Sequence, residues 1–134
     1  PGPESVGLVG LPTWMWVANP TPETAGPQTR TVSAGGISVT ATATLQRVVW
    51  DMGENRGAAS IVTCGAGTPY KDSYGGKDSP TCGYRYQTQG THTVTATSYW
   101  TVAWSGAGQS GTIPLHFTST RQVVIGELQV LRTR

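Results

Sequence analysis

Ile37-Ser38-Val39-Thr40-Ala41-Thr42-Ala43-Thr44-Leu45 decides the fold. Every odd position is apolar and every even position is Ser or Thr. An extended backbone turns successive side chains to opposite sides, so this string sorts itself into a dry face and a wet face and reads as a half-buried strand. The pattern returns over residues 91–104. His92, Val94, Ala96, Ser98, Trp100, Val102 and Trp104 share one face, and Thr91, Thr93, Thr95, Thr97 and Thr101 the other. Fourteen extended residues would span ~46 Å, longer than an ordinary strand, so a bend or a change of sheet is expected near Ser98.

Outward from these two stretches the chain continues in short extended pieces. Residues 47–52 form a strand with Val48, Trp50 and Met52 on one face, residues 53–57 a turn, and residues 59–64 another strand. A long Gly/Tyr/Asp/Ser loop occupies residues 65–80. Residues 81–87 carry Cys82, Tyr84 and Tyr86 on one side, and Gln89-Gly90 turns the chain. Residues 106–111 read as a Gly-rich hairpin loop. Residues 113–118 read as an edge strand because Pro114 cannot donate to a ladder. In the last strand, residues 121–131, the apolar phase shifts at Gly126-Glu127, as a β-bulge at Gly126 would cause. Toward the N-terminus, residues 14–17 are a short strand, and residues 19–34, with Pro20, Pro22 and Pro27, a loop. Residues 1–10 are read as a linker or lead-in, residues 11–131 as one domain, and residues 132–134 as a tail. Short strands between turn signals, with no helical period, mean an all-β antiparallel sandwich or barrel. Its expected core is Trp50, Ile37, Val39, Leu45, Val94, Ala96 and the apolar residues of the last strand.

Composition narrows the function. The chain has 134 residues, of which 12% are charged, for a net charge of +2. That excludes a charged disordered tail and the clustered Lys and Arg that grip nucleic acid. The lysines are Lys71 and Lys77, each followed by an Asp. Thr occurs 21 times and Val 13 times, against 18 Gly and 9 Pro, which excludes a helix bundle. No apolar run approaches the ~20 residues of a membrane-spanning helix, so no membrane span is expected. Cys64 and Cys82 flank the Gly-rich loop. They read as a disulfide in preference to two buried thiols. Closing a loop of ~18 residues would contribute about 3 kcal/mol and implies an oxidising, secreted or cell-envelope location.

Catalytic signatures do not emerge. His92 and His116 are the only imidazoles, and His92 lies on an apolar strand face as a core or rim residue. Gly108-Gln109-Ser110-Gly111 lacks the G-x-S-x-G form of a nucleophile elbow and reads as a hairpin tip. Gly76-Lys77 is followed by Asp78, which no phosphate loop allows. Asp51 and Glu54 flank Gly53, where they serve either acid–base or Ca²⁺ chemistry or, preferentially, turn chemistry with Asp51 accepting from the following backbone N–H groups. Asp72 and Asp78 are a weaker alternative. No metal and no cofactor is assigned.

The aromatic residues say more. Trp14 and Trp16 share a face, as do Trp100 and Trp104. All four belong either to the core or, as one exposed pair, to a stacking platform for sugar rings or a partner protein. The loop at residues 65–80 brings Tyr70, Lys71, Asp72, Tyr74 and Lys77 together among glycines, the mixture of rigid rings and adaptable polar groups that binding loops use. A disulfide across its ends would lower the entropy lost on binding. The plain alternative is a tolerated insertion.

Val48-Val49-Trp50-Asp51-Met52-Gly53-Glu54 resembles the W-D-F-G-D-G signature of PKD domains. Tyr84-Arg85-Tyr86-Gln87-Thr88-Gln89-Gly90, followed by alternating Thr and Val from Thr91, resembles the second signature of the same family. The chain as a whole is similar to exported proteins of Streptomyces and related actinobacteria. It departs from the family at Glu54-Asn55, which replace an Asp-Gly, in the insertion after Cys64, and in the strands after Gly106. The resemblance implies an Ig/PKD-like antiparallel β-sandwich with an added C-terminal hairpin, Trp50 as its core indole, and Asp51, Gly53, Tyr84, Tyr86 and Gly90 as structural residues. The function expected from all this is a non-catalytic extracellular or cell-envelope binding or adhesion module with a protein or cell-wall glycan as partner. The alternatives are a carbohydrate-binding module using an exposed Trp pair, or a structural spacer without a ligand.

Overall fold

A computed structural model describes residues 4–17 and 27–127. These fold as an all-β structure with eight strands: β1 (Glu4–Leu8), β2 (Pro12–Trp14), β3 (Gln28–Ala34), β4 (Ile37–Asp51), β5 (Ile61–Cys64), β6 (Gly83–Arg85), β7 (Gly90–Gly106) and β8 (Gln109–Gly126). Six of them make one curled sheet in the order β1-β8-β7-β4-β3, with β5 paired to β4 beyond the end of β3. Strands β2 and β6 form a separate two-stranded ribbon. The C-terminal hairpin is present as β7 and β8, paired antiparallel from Gly90↔Ile125 to Gly106↔Gln109.

Strand β4 joins two segments that sequence reading separates. Leu45 opposes Trp100 and Arg47 opposes Tyr99, so Gln46 is the extra residue of a bulge. That residue resets the parity. The odd apolar positions 37–45 and the even ones from Val48 onward therefore share one face of a single 15-residue strand. Strand β7 likewise runs unbroken for 17 residues through Ser98, so the expected change of sheet there is absent. On the opposite face hydroxyls pair across strands: Thr31 with Thr40 at 3.0 Å, Ser33 with Ser38 at 2.7 Å and Thr97 with Thr118 at 3.2 Å.

The structure corrects four further expectations. Glu4–Leu8 is not linker but a strand, added parallel to β8 through Glu4↔Gln122 to Leu8↔Gly126, so the sheet is mixed rather than wholly antiparallel. Gln28–Ala34, read as loop because prolines precede it, pairs with β4 through the two-residue turn Gly35-Gly36. Residues 113–118 and 121–126, read as parts of two strands, belong to the single strand β8, which begins at Gln109 inside the expected hairpin loop and runs to Gly126. The apolar residues placed beyond it, the tail, residues 1–3 and residues 19–26 of the expected loop lie outside the described residues. Finally, Ile37 and Val39 are not core: they are 53% and 38% exposed.

The core sits under one half of the sheet. The ribbon and the segment leading to Val17 lie across the ends of β4, β7 and β8 and bury Met15, Val48, Trp50, Met52, Tyr86, Val94, Val123 and Ile125 together with the Cys64–Cys82 disulfide. The second layer is thus a small ribbon that covers only the proximal half of a long sheet. The distal half, where β3 pairs with the start of β4, extends past it.

Candidate functional site

The site grows from the disulfide outward. Cys64 ends β5 and Cys82 precedes β6, with Cα atoms 5.6 Å apart, so the loop between them is tied at its base. Within the loop Gly67 pairs with Trp16 in an isolated bridge. It has φ +82°, and a Cβ there would lie 2.3 Å from the Met15 carbonyl oxygen, so glycine is required. The Val17 N–H donates to the Ala66 carbonyl at 2.7 Å and the Met15 N–H to that of Cys82 at 3.1 Å. The ribbon and the loop are therefore one hydrogen-bonded unit.

At the far end of the loop, Asp72–Tyr74 form a short 3₁₀ turn closed by the Gly75 N–H on the Asp72 carbonyl. This turn lays the Tyr74 ring flat on Trp14, with centroids 5.0 Å apart and planes 8° off parallel. Tyr70 meets Trp14 edge-on at 5.3 Å. Its hydroxyl donates to the Gly75 carbonyl at 2.9 Å, and the Trp14 Nε1–H donates to the Lys77 carbonyl at 2.9 Å. Ser79 Oγ accepts the Cys82 N–H at 3.0 Å. The long loop is thus folded around an indole, and is not a slack insertion.

Two separate sequence candidates, the Trp14/Trp16 pair and the tyrosine loop, meet here. Trp14 is 7% exposed and has Tyr74 on its face, so it anchors the loop and is no open platform. Trp16 is half-buried, Tyr70 more exposed. Both line a groove of about 440 Å³ with Leu8, Leu11, Trp14 and Ile125. Lys71, Asp72 and Lys77 are exposed on the loop. Sequence reading missed Leu8 and Leu11, because the N-terminal stretch carried only Gly/Pro punctuation. The other pair is elsewhere: Trp100 donates from Nε1 to Ser98 Oγ at 3.1 Å, and the Trp104 indole lies over Gly111, both on the distal half of the sheet. The structure does not bring Trp100 or Trp104 to the groove.

The signature residues of the PKD resemblance are structural in their contacts. Trp50 is buried. Asp51 Oδ1 accepts the Gly53 N–H at 3.0 Å, the turn chemistry expected of it. Gly53, at φ +82°, faces the Thr93 carbonyl so closely that a Cβ would come to 2.3 Å. Gly90 has φ +126°. Tyr86 is fully buried and donates to the Met52 carbonyl at 2.9 Å; burial pushes its phenol upward. His92 stacks on Tyr86 with centroids 4.7 Å apart, its Nε2 2.9 Å from the Thr88 carbonyl.

Glu54 is a clamp. Its side chain has no solvent exposure. It accepts hydrogen bonds from the Gln87 N–H at 3.0 Å, the Thr88 N–H at 2.9 Å, the Thr88 hydroxyl at 2.6 Å and the Tyr84 hydroxyl, with Arg56 3.4 Å away. Burial opposes its charge, but the donated bonds outweigh it and hold its pKa at about 2. Its oxygens are already occupied, which leaves it to fasten turns rather than move protons. Burial likewise raises the Tyr84 phenol, with Glu54 adding to the effect.

No family model, curated protein or solved structure matches the chain. The PKD resemblance therefore rests on the two stretches of residues that carry it.

Proposed function

We propose that this chain is a non-catalytic binding module of the cell exterior or envelope, with a PKD-like scaffold that offers the disulfide-tied loop and the groove beside it to a surface protein or a cell-wall glycan. The observation that carries this reading is the three-ring assembly of Trp14, Tyr70 and Tyr74, which fixes one wall of the 440 Å³ groove before any ligand arrives. A preformed wall lowers the ordering entropy that binding must overcome. The size matches small-ligand clefts, which are lined by apolar and aromatic groups with few polar ones. The Cys64–Cys82 disulfide supports an oxidising compartment. No helix among the described residues is long and apolar enough to cross a membrane.

A glycan is the reading favoured by Trp16 and Tyr70, whose rings line the groove as faces for a sugar ring. The test is a titration of wild type, Trp16→Ala and Tyr70→Ala against a panel of cell-wall glycans and envelope proteins. A ligand bound by wild type and lost by at least tenfold in both variants, with melting temperatures within a few degrees, supports the groove. A ligand bound equally by all three forms places recognition elsewhere and contradicts it.

A further inference from the structure

The distal half of the sheet is wet on both faces. One face carries the Ser and Thr rows. The other carries Val32 of β3, Ile37 of β4, and Ile113, Leu115 and Phe117 of β8, with Val32 70% and Phe117 61% exposed. Strand register puts these on the face that, further along the same strands, forms the core: Val32 opposes Val39, Leu115 opposes Trp100, and Val123 opposes His92. Antiparallel sheets commonly leave their polar face in water while the apolar one is packed. Here the packed layer stops half-way, and no described element covers the rest. Apolar surface left open in this way marks an interaction face.

Charge says what covers it. Over residues 28–47 and 98–121 the sequence holds Arg30, Arg47 and Arg121 and no carboxylate. Arg47 stacks on Tyr99 at 4.1 Å, on the threonine side. Arg30 and Arg121 fall on the apolar side by register, opposite Ala41 and Val94. Arg30 lies on the edge strand β3 beside the distal face, and Arg121 lies on β8 at the inner end of that face, one residue short of the pairing with β1. Neither takes part in the ion pairs of the described residues, which join Arg56 to Glu54 and Arg85 to Asp78. A second copy on this face would add two more arginines and, from these stretches, no carboxylate to pair with them. Trp100 and Trp104 lie on the same face, and such rings favour the boundary between hydrocarbon and water.

We infer that the distal apolar face docks on the surface of an anionic lipid bilayer, with Phe117, Leu115 and Ile113 entering the acyl boundary and Arg30 and Arg121 meeting lipid phosphates. The threonine rows stay in water. Phe117 and Arg121 line a cavity of about 270 Å³ with Trp16, which also lines the groove, so the face adjoins the groove at its inner end, while Ile113 and Leu115 line neither.

The experiment is flotation of the whole chain with vesicles of phosphatidylglycerol and phosphatidylcholine, against phosphatidylcholine alone, with tryptophan quenching by brominated lipid as the second readout. Wild type is expected to float with the anionic vesicles and to be quenched. The variant Ile113→Thr/Leu115→Thr/Phe117→Thr, altered only at exposed strand positions, is expected to keep its melting temperature and bind at least tenfold more weakly. Arg30→Gln/Arg121→Gln is expected to lose about fivefold per arginine and most of the salt dependence. Tyr70→Ala, which alters the groove at a residue that does not line the cavity beside Phe117, leaves vesicle binding unchanged. Failure of wild type to float, or equal flotation of wild type and the threonine variant, overturns the inference. So does a dimer in sedimentation that the threonine variant dissolves while vesicles go unbound, since the face then belongs to a second copy.

Discussion

Glu54 shows how one residue can serve the fold with its charge. The position lies where the resembling family has an Asp-Gly turn, and the sequence leaves its role open between acid–base work and turn chemistry. The structure resolves it because the partners come from 30 or more residues away, which no local pattern displays: Tyr84 and Thr88 close on a carboxylate from across the molecule. Its folded pKa, about 2, lies below its ordinary 4.5. The stabilisation is therefore complete above pH 4.5 and is lost as pH falls from there toward 2. Urea unfolding at pH 7, 4 and 2.5 should show a decline for wild type across that window. Glu54→Gln should be weaker by about 2–3 kcal/mol at pH 7 and nearly flat with pH. Parallel pH profiles for the two proteins would contradict the clamp.

At the scale of elements, alternation made β4 and β7 legible, whereas β8 reads in sequence as two strands because Pro114 and the polar run Thr118-Ser119-Thr120 interrupt its apolar pattern. The bulge at Gln46 was hidden because Gln46-Arg47 looks like a break between strands, when it is the one-residue shift that keeps Leu45 and Val48 on the same side. Strands β1 and β3 were illegible for a different reason. Each is short, rich in small or polar residues, and preceded by proline, and each forms only because a longer neighbour offers it an edge. The β7–β8 turn carries a local conflict. Ala107 and Gly108 both have positive φ, at 52° and 74°, the two-residue geometry that favours Asn-Gly. Ala107→Asn should raise stability by about 0.5–1 kcal/mol in chemical denaturation, with unchanged spectra. A loss would mean that the turn has another geometry.

For the whole molecule, the sequence conveyed the class, the disulfide and the loop as the place where aromatic and polar groups gather. It did not convey that Trp14 would be spent inside that loop, leaving Trp16 and Tyr70 to line the groove, since a tryptophan's exposure depends on which distant ring stacks on it. Nor did it convey that the core stops half-way along the sheet. Ile37 and Val39 have the same period as buried positions, and only the length of the covering ribbon decides between them. One sheet is thus divided into a packed half and an open half, and two residues on the same face of β8 measure the division directly: Ile125, 3% exposed, and Phe117, 61% exposed. Denaturant unfolding should show Ile125→Ala weaker by about 2–5 kcal/mol and Phe117→Ala within about 0.5 kcal/mol of wild type. A loss at Phe117 as large as that at Ile125 would mean that the distal face is packed within the folded chain and that the sheet has no open half.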